Sequence, residues 1–359
     1  MIFATVDPLF WRGKKVFLTG HTGFKGGWLS LWLESMGAKV TGYALTPNTQ
    51  PNLYRVLGLD HLLEKSHIGD IRDLDLLKKT MTEAAPEVLI HMAAQPLVRC
   101  SYLNPVETYA TNVMGTVNVL ESARHTPSLR ATVVVTTDKC YENKEWVWGY
   151  RENDPMGGYD PYSNSKGCAE LVISAYRQSF FSVSNLTNSI ASARAGNVIG
   201  GGDWSEDRLI PDAIKAFDTD MPLMIRNPLA TRPWQHVLEP LSGYLILAQA
   251  LYSESGDQFA SAWNFGPTDS DNRSVQEVVE LLIAKWGAPA SWVKEGSEQP
   301  HEAHLLKLDC SKARQQLNWI PRWNLEVATE KILQWHKAFK AKENMQAVSL
   351  TQISQYMNT

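Results

Sequence analysis

Cysteine is scarce and scattered: the 359 residues contain four, Cys100, Cys140, Cys168 and Cys310, with no CxxC pair among them. That spacing argues against a disulfide framework and against the ligand sets of structural zinc, and it fits reduced thiols; no metal is expected. Long apolar runs are also missing. Stretches such as Val133–Val135 and Leu245–Leu247 fall far short of the ~18 residues that span a bilayer, so no membrane segment is expected. Nor does one sign of charge dominate. The 34 Lys and Arg stand against 38 Asp and Glu, a net charge of -4, and no basic stripe could track a nucleic-acid backbone, so a nucleic-acid partner is not expected. At the N-terminus the apolar residues Ile2, Phe3, Leu9, Phe10 and Trp11 precede the first basic one, Arg12, which reverses the order of a secretory signal. The expected location is the cytoplasm.

What the chain does have is enough apolar residues, 44%, against 20% charged, to bury a large core, which rules against disorder. Its first half alternates short β-branched runs with amphipathic stretches, the pattern of strand, crossover helix and next strand. Strands are predicted at Lys15–Thr19, Lys39–Ala44, His67–Gly69, Val88–Met92, Thr132–Thr136 and Ile190–Ala195. Helices are predicted at Trp28–Met36, Leu74–Glu83, Pro105–His125 and Pro161–Phe180. Most of the strands are apolar on successive residues, so both of their faces should be covered, as in a doubly wound parallel sheet of the α/β class. After about residue 195 the pattern gives way to connections rich in Gly, Pro and Trp. Residues 1–195 are therefore read mainly as a Rossmann-type domain, 196–340 mainly as a smaller C-terminal substrate lobe whose elements partly return to the first domain, and 341–359 as a polar tail with a frayed helix.

The first predicted strand runs into Gly20-His21-Thr22-Gly23-Phe24-Lys25-Gly26 and then into an apolar-periodic helix. Glycines at 20, 23 and 26 permit a tight strand-to-helix turn and let the backbone approach a pyrophosphate at the positive end of that helix. A lone glycine motif is weak; its place between first strand and helix is what gives it weight. Asp70-Ile71, at a strand end, can receive an adenine amino group, and Ala93-Ala94 leave room beside the cofactor. The acidic residue that usually takes the ribose hydroxyls ~20 residues on is missing, since Ala44-Leu45-Thr46-Pro47 stands there. The choice between NAD and NADP stays open by this route: Lys25 either meets a 2′-phosphate or is simply solvated.

Tyr162-Ser163-Asn164-Ser165-Lys166 sets a phenol and an ammonium four residues apart on one helix face. A phenol of ordinary pKa, ~10, is a poor base near neutral pH, and an adjacent cation favours its ionised form. Tyr162 can then take a proton from a substrate hydroxyl while a hydride leaves to the cofactor. The spacing is common by chance. Thr136-Thr137-Asp138-Lys139, at the end of a predicted parallel strand, is the context that lifts it.

In order along the chain, Thr19 to Gly26, Asp70-Ile71, His91-Met92-Ala93-Ala94-Gln95, Asn112 to Thr116, Thr137 to Lys139 and Tyr162/Lys166 resemble the extended short-chain dehydrogenase/reductase family over nearly the whole length. Gly20 to Trp28 and Thr137 to Asn143 are most similar to its branch of CDP-glucose 4,6-dehydratases. That resemblance implies CDP-glucose as substrate and a recycled NAD held by Gly20, Thr22, Gly23, Phe24, Lys25, Gly26, Asp70, Ile71, Ala93, Ala94, Gln95, Asn112, Thr136, Tyr162 and Lys166. It implies Thr137, Asp138, Lys139, Tyr162 and Lys166 as the catalytic set. Asn197, Arg232, Arg208, Leu209 and His301 are implied for the nucleotide sugar, with the first two on the pyrophosphate and the others bordering base and ribose. A homodimer paired through the helices at Pro105–His125 and Pro161–Phe180 is also implied. The dTDP-glucose branch carries Thr-Asp-Glu where this chain has Lys139, so the base at C5 is either Lys139 or another group with Lys139 stabilising the enolate. Two rivals remain in view. A 4-epimerase or 4-reductase needs Tyr162, Lys166 and NAD but not Asp138, and a non-catalytic NAD(P)-binding regulator needs neither Tyr162 nor Lys166.

Overall fold

The computed structural model describes residues 5–182, 188–296 and 304–359. Seven strands form the main sheet: β1 (Lys15–Thr19), β2 (Lys39–Ala44), β3 (Lys65–Ile68), β4 (Val88–His91), β5 (Ala131–Val135), β6 (Ser189–Ala195) and β10 (Ala262–Phe265), after three short strands of the lobe. Their spatial order is β10-β6-β5-β4-β1-β2-β3, and every neighbouring pair runs parallel. The order reverses at β1, which makes the sheet doubly wound with its switch point between β1 and β4. Both faces are covered for the reason the sequence suggests: on β1, Val16 and Leu18 pack into one core cluster, while Phe17 between them packs into another with Leu89, Val134 and Ile190. The predicted α/β class and its sheet are what the structure shows.

The lobe is built from β7 (Asn197–Ile199), β9 (Thr231–His236) and β11 (Asn272–Ser274) in one small sheet, with β8 (Leu223–Ile225) paired to β12 (Trp292–Lys294). A third cluster, including Ile210, Phe217, Val278, Leu282 and Ile332, fills it. The 196–340 segment also contributes β10 to the main sheet and the buried helix Leu238–Tyr252 against it. Among the described residues no helix is long and apolar enough to cross a membrane.

The structure corrects several local expectations. The last predicted segment is not frayed: Met345–Met357 is a helix whose Met345, Ser349, Gln352, Ile353 and Tyr356 are buried, at spacings of one helix face. Burying its three large apolar side chains contributes about 1.5–3 kcal/mol each. The third strand is Lys65–Ile68 and leaves Gly69 outside, and the fifth ends at Val135, followed by a 3-10 turn at Asp138–Cys140. The helix predicted across Pro105–His125 is interrupted by a π-helical stretch, Ala110–Met114, before Gly115–Arg124. Trp28, Trp32 and Trp335 are core residues.

Candidate active site

The carboxyl ends of β1, β4 and β5 bring the predicted residues together. Gly20 adopts φ +80°, a conformation that favours glycine. A Cβ on Gly26 would sit 2.0 Å from the Gly20 carbonyl oxygen, so the turn closes only with glycine there. Gly23 caps the helix Phe24–Ser35 without any side-chain hydrogen bond to the first turn, leaving backbone N–H groups for an anionic ligand. The Thr22 hydroxyl ties the loop to the residue just past β2 by donating to the Leu45 carbonyl at 2.8 Å. Phe24 is half-buried, and a Cβ on Gly200 would lie 3.0 Å from its ring. A loop that closes this tightly over a bare helix end fits a dinucleotide pyrophosphate.

Other predicted cofactor residues turn out to be bonded within the protein. The Asp70 carboxylate accepts from the Arg72 backbone at 2.8 Å and from its guanidinium at 2.9 and 2.6 Å. Ile71 is buried behind it against Gly115. Ala93 donates its backbone N–H to Thr19, and Ala94 follows, partly exposed, in the same turn after β4. Asn112, inside the π-helical stretch, accepts from the Gln95 backbone N–H and donates to the Gln95 carbonyl and to Ser165 Oγ at 2.9 Å. Gln95 in turn bonds Thr108 and Leu97. The two amides thereby staple the turn after β4 to the helix that carries Tyr162.

That helix, Pro161–Tyr176, starts with Asp160 capping Ser163 N–H and Pro161 in its first turn. Tyr162 is 9% exposed and its side chain is hydrogen-bonded to Thr137. Burial pushes the phenol up to about 12, with Thr137 and Arg208 pulling the other way. Lys166 is buried, its Nζ 3.5 Å from the Val135 carbonyl, and desolvation brings the ammonium down to about 8 against the attraction of Glu170. Asp138 is 2% exposed. Its Oδ1 accepts from Thr137 Oγ1 at 3.0 Å, while Oδ2 is buried with no hydrogen-bond partner. Burial raises this carboxyl in spite of Lys139, Thr137 and Arg232. Lys139 follows in the same turn with its side chain only half-buried, so the two neighbours meet different environments.

Lys25 takes neither of the two places open to it in the sequence. Its ammonium turns inward and donates to the Tyr244 hydroxyl at 3.1 Å. Desolvation lowers it to about 7, helped by the charges of Lys166 and Arg208. The lobe residues also reach further in than expected. Arg208, read as bordering base and ribose, is held by Asp203 at 2.9 Å and acts electrostatically on Tyr162 and Lys25. Arg232, 4% exposed, donates to the Thr231 carbonyl at 3.0 Å and acts on Asp138. Asn197 opens β7 in register with Trp234 of β9, and Leu209 packs against the lobe core. His301 lies outside the described residues.

Sequence reading missed Tyr244, Glu170 and Arg194. Glu170 was within reach, because it stands four residues after Lys166 on the same helix. Tyr244 sits in an apolar helix that carries no sign of a site.

Residues 17–332 match the family model described as GDP-mannose 4,6 dehydratase. The chain belongs to that family. It is an enzyme of the 4,6-dehydratase type, a hydro-lyase. It is 57% identical to the CDP-glucose 4,6-dehydratase of Salmonella typhimurium, an alignment covering 98% of this chain and 99% of the other. Among solved structures, the dehydratase fold resembles an epimerase of Methanothermobacter thermautotrophicus, with a TM-score of 0.78, 22% identity, and 94% and 96% of the two chains covered. It also resembles the dTDP-glucose 4,6-dehydratase of Bacillus anthracis in complex with NAD, with a TM-score of 0.74, 23% identity, and 93% and 100% covered.

Proposed function

We propose that this protein converts CDP-glucose to CDP-4-dehydro-6-deoxyglucose and water, with NAD held at the glycine loop. The observation that carries the dehydratase reading is Asp138, a deeply buried carboxyl with one unpartnered oxygen, beside Tyr162 and Lys166. A 4-epimerase or 4-reductase has no use for such an acid. The choice of CDP-glucose is supported by the 57% identity to the Salmonella enzyme.

Tyr162, made ionisable by the Lys166 cation, takes the 4-hydroxyl proton, and Thr137 orients the phenol. The new ketone acidifies C5. A neutral Lys139, or another base with Lys139 stabilising the enolate, takes the C5 proton, and Asp138, made a weaker acid by burial, delivers its proton to the departing C6 hydroxyl, which leaves as water. Gly20, Gly23, Phe24, Gly26, Asp70, Ile71, Ala93 and Ala94 would hold NAD, which would supply reversible hydride transfer from C4 to C6 with no net oxidation, C5 regaining its proton from the group that removed it. Arg208 and Arg232 offer guanidinium groups to the sugar diphosphate, with Asn197 beside them. Residues 1–195 thus serve mainly the cofactor and 196–340 mainly the nucleotide sugar. Val106, Met114 and Leu171, each more than half exposed on the two helical segments, support pairing of two copies there.

The test is to incubate the protein with CDP-, dTDP-, UDP- and GDP-glucose and GDP-mannose, and to follow the alkaline ultraviolet absorbance of a 4-keto-6-deoxy product. Product is expected from CDP-glucose. Preference for another nucleotide would overturn the substrate, and release of a 4-epimer would overturn the reaction.

A further inference from the structure

Lys166 lies one helical turn beyond Tyr162, and Glu170 lies one turn beyond Lys166, so the three side chains form a column on the Pro161–Tyr176 helix. The chemistry above gives Glu170 no part. Its side chain is nevertheless 5% exposed, and its carboxylate accepts from three donors on the two neighbouring segments: Thr136 Oγ1 just past β5 at 2.5 Å, and Ser192 Oγ and Arg194 Nη2 on β6 at 2.7 Å each. Arg194 is itself 4% exposed in its side chain. It donates through Nη1 to the Tyr141 hydroxyl at 2.8 Å and to the Glu152 carbonyl at 3.0 Å. A buried pair with this many supporting bonds is expensive to assemble and contributes little net stability compared with apolar packing. Its position suggests another use.

We propose that Glu170, fixed by Arg194, Thr136 and Ser192, is a positioning residue that keeps Lys166 cationic beside Tyr162. This rests on the reading of Tyr162 and Lys166 as the proton-transfer pair. Lys166 is buried with a long contact to one carbonyl, a setting in which an ammonium tends to lose its proton. The groups facing it are Tyr162 and Glu170 on its own helix, Cys140 on the 3-10 turn, His91 on β4 and Lys25 at the start of the Phe24–Ser35 helix. Of these, Lys25 opposes the lysine charge. His91 is buried and its pKa is lowered to about 3, so it is neutral near pH 7, and burial lifts the Cys140 thiol well above its ordinary range, so it too is neutral. Glu170 supplies the permanent negative charge: burial alone would raise its carboxyl, but Arg194 and the three hydrogen bonds hold it below the ordinary value. One charge about 6 Å away in a medium of effective dielectric about 20 moves a neighbour's pKa by about one to two pH units. The column therefore passes charge in steps, from Glu170 to Lys166 to the Tyr162 phenolate, and Thr136 links the Glu170 end to the strand that delivers Thr137.

Lysine labelled with 13C at Cε reads this out in the protein without any nucleotide sugar, the Lys166 signal being identified by its loss in Lys166→Met. In Glu170→Gln the Lys166 midpoint is expected to fall by about one pH unit or more. Because Glu170→Gln leaves Arg194 buried without a counter-ion, the double variant Glu170→Gln/Arg194→Gln, which removes both charges, is measured alongside. A smaller fall in the same direction is expected there, since the opposing Arg194 charge goes as well, whereas Glu170→Asp, which keeps the charge, should stay near wild type. Turnover needs protonated Lys166, so the alkaline limb of the pH–rate profile should move down with the midpoint in the two Gln variants and stay in place in Glu170→Asp. A Lys166 midpoint unchanged in either folded Gln variant would overturn the proposal and leave Glu170 as a purely structural anchor. Lack of product from the wild type would count against the functional reading alone, since the titration requires no turnover.

Discussion

Asp138 and Glu170 are both more than nine-tenths buried and both flank the Tyr162–Lys166 pair, yet their surroundings are opposite. On the cleft side, Asp138 receives one side-chain hydrogen bond, from Thr137, and keeps one oxygen without a partner. On the sheet side, Glu170 receives three, one of them from a guanidinium. Burial raises both carboxyls; only Glu170 has enough donors to reverse it. The difference teaches that depth alone does not decide protonation. On the proposed mechanism the same residue chemistry serves as an acid where donors are withheld and as a counter-ion where they are supplied.

The largest effect comes from taking away the group between them. Tyr162→Phe keeps the ring and removes the proton acceptor, and turnover should fall by about 10²–10⁴ with nucleotide-sugar binding near wild type. A steady-state assay with isothermal titration checks it, and a Phe variant within tenfold of wild type would end the assignment. On the sheet side, Arg194→Met strips Glu170 of its counter-ion and should lower stability by about 3–5 kcal/mol in denaturant unfolding. A loss under 1 kcal/mol would mean that Glu170 is not held ionised by Arg194.

On the cleft side, Asp138→Asn should still oxidise C4, seen as a transient absorbance of reduced cofactor, while water elimination falls by about 10². Its stability should move the other way from that of Arg194→Met. A carboxyl whose native pKa is raised keeps its proton to higher pH in the fold than in the unfolded chain, which ionises near 3.8, so the wild type loses stability as pH rises above that value. Asp138→Asn should therefore melt higher than wild type at pH 7, and the gain should vanish below about pH 3.8. For Glu170 the sign is opposite. Its native pKa is depressed, so its contribution is present above the ordinary value of 4.5 and is lost as pH falls. Parallel melting curves for the Asp138 and Glu170 variants across pH would erase the contrast.

The legible part of this arrangement was the part written in contiguous residues. The glycine loop, Thr137 to Lys139 and Tyr162/Lys166 each lie within eight residues, and strand ends bring them together by rules of parallel sheets. Arg194 was legible only as a polar residue in an apolar strand, because its partner Glu170 lies on another element. Strand β10, the four residues Ala262–Phe265, reaches the main sheet after a lobe excursion from β6, and no local period predicts so distant a pairing. The C-terminal helix misled for a different reason. Its buried face includes Ser349, which accepts from the Trp335 indole N–H, and Gln352, whose Nε2 donates to the Lys331 carbonyl, each at 2.9 Å, so a core face reads as a polar one.

The smallest expected effect lies at the surface, where Asp207 pairs with Arg99 of the first domain at 2.9 Å and with Arg226 of the lobe at 3.0 Å. These groups are about one-third to one-half exposed, and Asp207→Ala should change stability by less than about 1 kcal/mol. A larger loss would show that exposed pairs matter here as much as buried ones.

The most direct test of the account uses CDP-glucose carrying deuterium at C4, with the wild-type protein and no added reduced cofactor. Hydride taken at C4 and given back to C6 of the same sugar places the deuterium in the C6 methyl of the product, and that is the predicted result. A methyl group carrying solvent hydrogen alone, or stoichiometric consumption of external cofactor, would contradict it.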